Sequence, residues 1–118
     1  MAKVLVVDDE PDLRFVHRRI LGRAGHDVTE AGDGAAALRT VRELRPDLVV
    51  TDMMMPVMGG DELIRRLRAD PATADIPILV ISGDWQLASG ADAVLAKPCR
   101  GQDLINATES LLQRGRQE

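Results

Sequence analysis

Aromatic residues are nearly absent from the sequence: there is one phenylalanine, Phe15, one tryptophan, Trp85, and no tyrosine. A surface that stacks nucleic-acid bases on rings has almost nothing to be built from. The core has to come from Val, Leu, Ile, Ala and Met. Cysteine is equally scarce. Cys99 stands alone, which excludes an internal disulfide framework and fits a reducing cytoplasm. No apolar run approaches the roughly 18 residues that point to a membrane helix. The opening MAKVLVV meets Asp8 and Asp9 too soon for a signal peptide. Basic excess is missing too. The formal net charge is −4, so the expectation is no direct nucleic-acid binding and no membrane partner. What remains is 118 residues, 45% hydrophobic and 29% charged, with no repeat, linker or low-complexity tract. That is the balance of one globular domain spanning residues 1–118.

Short apolar runs alternate with amphipathic stretches. KVLVV at 3–7 is almost entirely β-branched or Leu and reads as a strand buried on both faces. Pro11 suits the first turn of a helix, where its missing N–H costs nothing. Leu13, Val16, Ile20 and Ala24 then recur at helical spacing, with Arg14, His17, Arg18 and Arg19 placed outward and Gly25 as a stop. A second strand is expected at 26–30. Asp33 is a candidate N-cap for a helix carrying Ala37, Leu38, Val41 and Leu44. DLVVT at 47–51 is a third strand and leads into a Met-, Pro- and Gly-rich loop. A third helix at 60–68 turns Leu63, Ile64 and Leu67 inward and Arg65, Arg66 and Arg68 outward. PILVI at 77–81 and AVLA at 93–96 are strands four and five. A last helix near 102–113 presents Leu104, Ile105, Thr108, Leu111 and Leu112 on one face. Such alternation predicts an α/β domain, a parallel sheet covered by helices on both faces.

In that architecture any site lies at the carboxyl ends of the strands. There the sequence places Asp8 and Asp9, Asp52, Ser82 and Lys97. Two carboxylates roughly 5 Å apart repel by about 3 kcal/mol at an effective dielectric near 20, so the cluster calls for a cation. Hard oxygen donors suit Mg²⁺ or Mn²⁺. They suit zinc poorly, since Cys99 and two isolated histidines make no tetrahedral set. The first strand-to-helix turn holds Asp8, Asp9 and Glu10 instead of a glycine fingerprint, and it repels a bare phosphate. No P-loop motif is present. A carboxylate beside a cation, a hydroxyl and a lysine has the makings of a nucleophile toward phosphorus.

VLVVDDE at 4–10, VVTDMMMPVMGGDEL at 49–63, ILVISG at 78–83 and GADAVLAKP at 90–98 together carry a resemblance. The chain resembles the receiver domains of bacterial two-component response regulators. The resemblance implies a flavodoxin-like, doubly wound, five-stranded parallel sheet of order 2-1-3-4-5. It implies that Asp52 is the phosphoacceptor, served by a phosphohistidine on a sensor histidine kinase or a histidine phosphotransfer protein. Asp9 would ligate Mg²⁺ directly, Asp8 through water, and Met54 through its backbone carbonyl. Ser82 would bond the phosphoryl group, Lys97 would pair with it, and Pro98 would follow a cis bond. Gly83 lies where a small residue leaves access to the acceptor. The expected function is a phosphorylation-switched module in the cytoplasm. It catalyses only its own phosphorylation and dephosphorylation, and acts on a downstream protein or a fused output domain.

Three features depart from the family pattern. Lys97 follows Ser82 by only 15 positions, so the helix between strands four and five is expected to be shortened or missing. That part of the sheet would then be covered only by Trp85 and Leu87, or left exposed. Val94 stands where Tyr or Phe is usual, and its one stiff torsion offers no ring to swing. Cys99 stands where Phe is common. Two other readings compete with the leading one. One is a degenerate receiver that acts as a constitutive interaction surface. The other is a haloacid-dehalogenase-like phosphatase, which would carry Asp-x-Asp on its first strand where this chain has adjacent aspartates.

Overall fold

A computed structural model describes residues 2–83 and 90–116. Strands β1 (Lys3–Val7), β2 (Asp27–Ala31), β3 (Leu48–Thr51), β4 (Ile78–Ser82) and β5 (Ala93–Ala96) form one sheet. The order is β2-β1-β3-β4-β5 and every pairing is parallel. Helices α1 (Pro11–Arg23), α2 (Gly34–Leu44), α3 (Gly60–Ala69) and α4 (Gly101–Arg116) cover the two faces. The expected fold class is the one observed. The expectation that the helix between β4 and β5 is shortened or missing, with Trp85 and Leu87 over that part of the sheet, concerns residues 84–89, which lie outside the described residues.

The strands are apolar on both sides because both sides are covered. Their alternation splits the core in two. Leu5, Val7, Val49, Ile78 and Val80 point to one face, where they meet Ala37, Leu38 and Val41 of α2 and Leu63, Ile64 and Leu67 of α3. Val4, Val6, Leu48, Val50, Leu79 and Ile81 point to the other, against Leu21 of α1 and Leu104, Leu111 and Leu112 of α4. Full burial of each such side chain stabilises the fold by about 1.5–3 kcal/mol. Asp33 caps α2 as expected: its side chain accepts the Ala36 N–H at 2.8 Å. Edge strand β5 is only half covered, and Val94 is 38% exposed.

Two expectations need correcting. Val16 is 47% exposed, whereas His17 and Leu21 are the buried residues of α1. The inward face is set by positions 17 and 21, one residue away from the face that Val16 suggests, and a histidine occupies its centre. Arg68 is no solvated charge either. Its guanidinium bonds the carbonyls of Ala74 (2.6 Å), Ile76 (2.8 Å) and Gly90 (3.2 Å) and the Asp92 carboxylate (2.6 Å). It thereby fastens the loop after α3 to the residues leading into β5.

Candidate functional site

The register fixes which strand ends lie together. Val7 is opposite Thr51, and Ser82 is opposite Ala96. Asp8, Asp52 and Lys97 each follow the last residue of a strand, and Ser82 is itself one. Four of the five predicted side-chain positions therefore line one rim of the sheet. Asp9, one residue beyond, completes the cluster: Asp8, Asp9 and Asp52 each offer a carboxylate oxygen, all within 4.8 Å of one another. Asp8 and Asp52 are buried, and Asp9 is exposed.

Asp52 is held from two sides. Its Oδ1 accepts the N–H of Met53 at 2.7 Å and of Met54 at 3.4 Å. Its Oδ2 accepts from Lys97 Nζ at 2.8 Å. The same ammonium lies 3.8 Å from Asp8 Oδ2. Burial pulls the Lys97 pKa down, but the hydrogen bond and charge of Asp52, with Asp8 and Glu10, outweigh it and leave the pKa raised. Lys97 is thus a fixed cation across the physiological range. Asp8 is raised above the usual carboxylate value. Burial is the largest cause, opposed by the Glu10 N–H and Lys97 and reinforced by Asp52 and Asp9. The metal-free cluster therefore holds its negative charge at a cost.

Ser82 is fully buried, and its carbonyl accepts the Lys97 N–H at 3.2 Å. The Lys97–Pro98 peptide is cis, as the resemblance implies. Met54 brings its backbone N–H to the Asp52 carboxylate, while its side chain is 66% exposed. Met53 is buried in the core. Gly60 opens α3 against the end of β3, where a Cβ would overlap the Asp52 carbonyl oxygen.

The donor set fits a hard divalent cation. It consists of three carboxylates, one of them solvent-facing, with no imidazole or thiolate among them. Lys97 is a cation that faces them, against Asp52 and Asp8.

Two residues near the site escaped the reading of the sequence. His17 borders a cavity of about 420 Å³ shared with Lys97, Pro98 and Cys99. Burial lowers its pKa; Lys97 adds to the lowering, and Asp8 and Asp52 oppose it. Arg14 reaches behind Asp8, donating from Nη1 to the Asp8 carbonyl at 2.7 Å. Its position in the first turn of the helix that follows Asp8–Asp9 was the available signal. Cys99 has its pKa raised by burial, which fits an inert thiol.

A five-stranded parallel sheet of this order, with acidic residues, a hydroxyl and a lysine gathered at its carboxyl rim, defines an α/β signalling domain built to handle phosphoryl groups. The family model for the response regulator receiver domain matches residues 4–109, and the chain belongs to that family, whose members serve two-component phosphorelay signalling. It is 38% identical to the DNA-binding response regulator MtrA of Mycolicibacterium smegmatis, a match covering 98% of this chain and 53% of the relative. It is 35% identical to the DNA-binding dual master transcriptional regulator RpaA of Synechocystis, covering 97% and 50%. Among solved structures, the chemotaxis response regulator CheY4 of Vibrio cholerae superposes with a TM-score of 0.86 at 34% identity, covering 94% of this chain and 98% of the other. The receiver domain of a signal transduction histidine kinase from Syntrophus aciditrophicus gives 0.90 at 29% identity, covering 96% and 91%. The chain spans about half the length of the curated relatives it matches.

These relatives overturn the expectation of no nucleic-acid partner, since both regulators are named DNA-binding. The physical reason is simple. A net charge of −4 belongs to these 118 residues, whereas the relatives extend about twice as far. The charge of one domain does not bear on a contact made by another. No helix among the described residues is long and apolar enough to cross a membrane.

Proposed function

We propose that the chain is a single receiver domain spanning residues 1–118, in which Asp52 accepts a phosphoryl group. A carboxylate oxygen of Asp52 attacks the phosphorus of a phosphohistidine on a sensor histidine kinase or histidine phosphotransfer protein. The P–N bond breaks, its electron pair goes to the imidazole nitrogen, and that nitrogen takes a proton from solvent. Water later attacks the acyl phosphate, releasing inorganic phosphate and restoring the carboxylate. The chain catalyses only its own phosphorylation and dephosphorylation.

The observation that carries this reading is the environment of Asp52. Its carboxylate is buried at a strand end, ion-paired to Lys97 at 2.8 Å, and shares a 4.8 Å cluster with Asp8 and Asp9. In this reading Asp9 and Asp52 would hold Mg²⁺ (or Mn²⁺), with Asp8 through water and Met54 through its carbonyl. The cation, when bound, neutralises charge on the phosphoryl oxygens. Lys97 moves its ammonium from Asp52 to a phosphoryl oxygen, and Ser82 donates its hydroxyl to another. The added charge biases a two-state arrangement of the rim, read by a downstream protein or a fused output domain. A cytoplasmic setting accompanies the reading, supported by the family and the solitary Cys99.

Incubation with Mg²⁺ and acetyl phosphate, followed by intact mass, tests it. One phosphoryl adduct is expected on the wild type and none on Asp52→Asn. An adduct that persists in the variant, or none on either, overturns the acceptor assignment.

A further inference from the structure

Two nitrogens of the Arg14 guanidinium are committed. Nε donates to Glu30 Oε1 at 3.0 Å, and Nη1 donates to the carbonyl oxygen of Asp8 at 2.7 Å. Arg18 bonds the other Glu30 oxygen at 3.2 Å, so the carboxylate is held from two turns of α1. Arg14 and Glu30 are mostly shielded, with side chains 21% and 26% exposed. Asp8 is gripped on its other side as well: its N–H donates to Ala31 at 3.2 Å, and its Oδ1 accepts the Glu10 N–H at 2.9 Å.

We propose that Arg14 is a positioning residue for the cation site, with Glu30 as its anchor. This rests on the reading that Asp8, Asp9 and Asp52 hold a divalent cation. A peptide unit is planar, so fixing the Asp8 carbonyl fixes the plane that carries Asp9. Asp9 is the exposed carboxylate of the cluster, and this peptide carries it. Glu30 does a second job. Arg14 brings a positive charge to a site that must attract one, and the Glu30 carboxylate both neutralises it and holds it on the carbonyl, away from the acidic side chains. A fork of N–H groups is needed to bond Glu30 and the carbonyl together, which a lysine cannot reproduce.

The two consequences of removing Arg14 have opposite signs. Deleting a nearby positive charge tightens cation binding; freeing the Asp8–Asp9 peptide loosens it. Groups that orient metal ligands typically contribute 10- to 100-fold in affinity. Mg²⁺ titration by calorimetry at fixed ionic strength, with melting curves in EDTA, separates them. Arg14→Met is expected to weaken Mg²⁺ binding about tenfold, and Arg14→Lys to weaken it less. Glu30→Gln weakens it too, and the double variant is no weaker than Arg14→Met alone, because both act through one contact. Should Arg14→Met melt below the assay temperature, Arg14→Lys and Glu30→Gln carry the test. Unchanged or tighter binding in the folded variants overturns the proposal and leaves the cation reading intact. A wild type that takes up no Mg²⁺ overturns both.

Discussion

Replacing Asp8 by Asn should make the metal-free protein more stable while weakening its cation site. Asp8 is 2% exposed and lies within 4.8 Å of the other two carboxylates. At that distance and an effective dielectric near 20, each pair repels by about 3.5 kcal/mol, less for Asp9, which solvent screens. Attraction to Lys97 at 3.8 Å contributes about 4 kcal/mol in the opposite sense. The two repulsions together match or exceed the attraction, and burial, the largest cause, outweighs the Glu10 N–H, so the neutral form is favoured over its balance in the unfolded chain. Because the folded pKa lies above the ordinary 3.8, the folded state holds the Asp8 proton more tightly than the unfolded chain does. The stability Asp8 contributes is therefore fully present below 3.8 and is lost as pH rises through the folded value. Asn keeps the neutral form at every pH. We expect Asp8→Asn to gain about 1–2 kcal/mol at neutral pH in EDTA, roughly 4–8 °C in Tm for a domain of this size. The gain should shrink as pH falls toward 4. Saturating Mg²⁺ stabilises the wild type by about 2.7 kcal/mol at a hundredfold excess over Kd, and the variant by less, so the gap narrows. A variant that melts below the wild type in EDTA at neutral pH would refute the claim that the ionised cluster is held at a cost.

Three further outcomes follow from the geometry. Gly60→Ala puts a methyl into the Asp52 carbonyl and within 2.8 Å of the Met53 Cα, so it should cost about 2–3 kcal/mol in urea unfolding and depress acetyl phosphate labelling as Asp52 is displaced. Val57 has φ of 68° and is 86% exposed, so Val57→Gly relieves a left-handed β-branched residue and loses no packing. A gain of about 0.5–1 kcal/mol is expected, and a loss would show the strain to be absent. Arg68→Ala deletes four bonds that tie the loop after α3 to the approach to β5, and should cost about 2–3 kcal/mol by urea denaturation, with faster amide exchange at 90–96.

The sheet was legible because its strands are buried on both faces and read as unbroken apolar runs, each ending at a charged or hydroxyl residue. Parallel topology then turns a list of strand ends into a site, which is why Asp8, Asp52, Ser82 and Lys97 needed no long-range information to be placed together. Helices gave less. On α1 the buried face is centred on His17, and a polar residue at the middle of a stripe defeats a hydrophobic pattern. Arg68 and Arg14 read as solvated because charge is all a sequence shows of them, whereas their partners are carbonyls and carboxylates 6 to 24 residues away. Net charge misled over nucleic acid for a related reason: it describes these 118 residues, whereas the relatives named DNA-binding extend about twice as far.

Chemical trapping of the acyl phosphate tests the central claim most directly. After exposure to acetyl phosphate and Mg²⁺, borohydride reduction converts a phosphorylated aspartate to homoserine, which peptide mass spectrometry locates. Homoserine at position 52 alone, and none when EDTA replaces Mg²⁺, is the predicted result. Reduction at Asp8, Asp9 or another carboxylate, or at none with the cation present, would contradict the account.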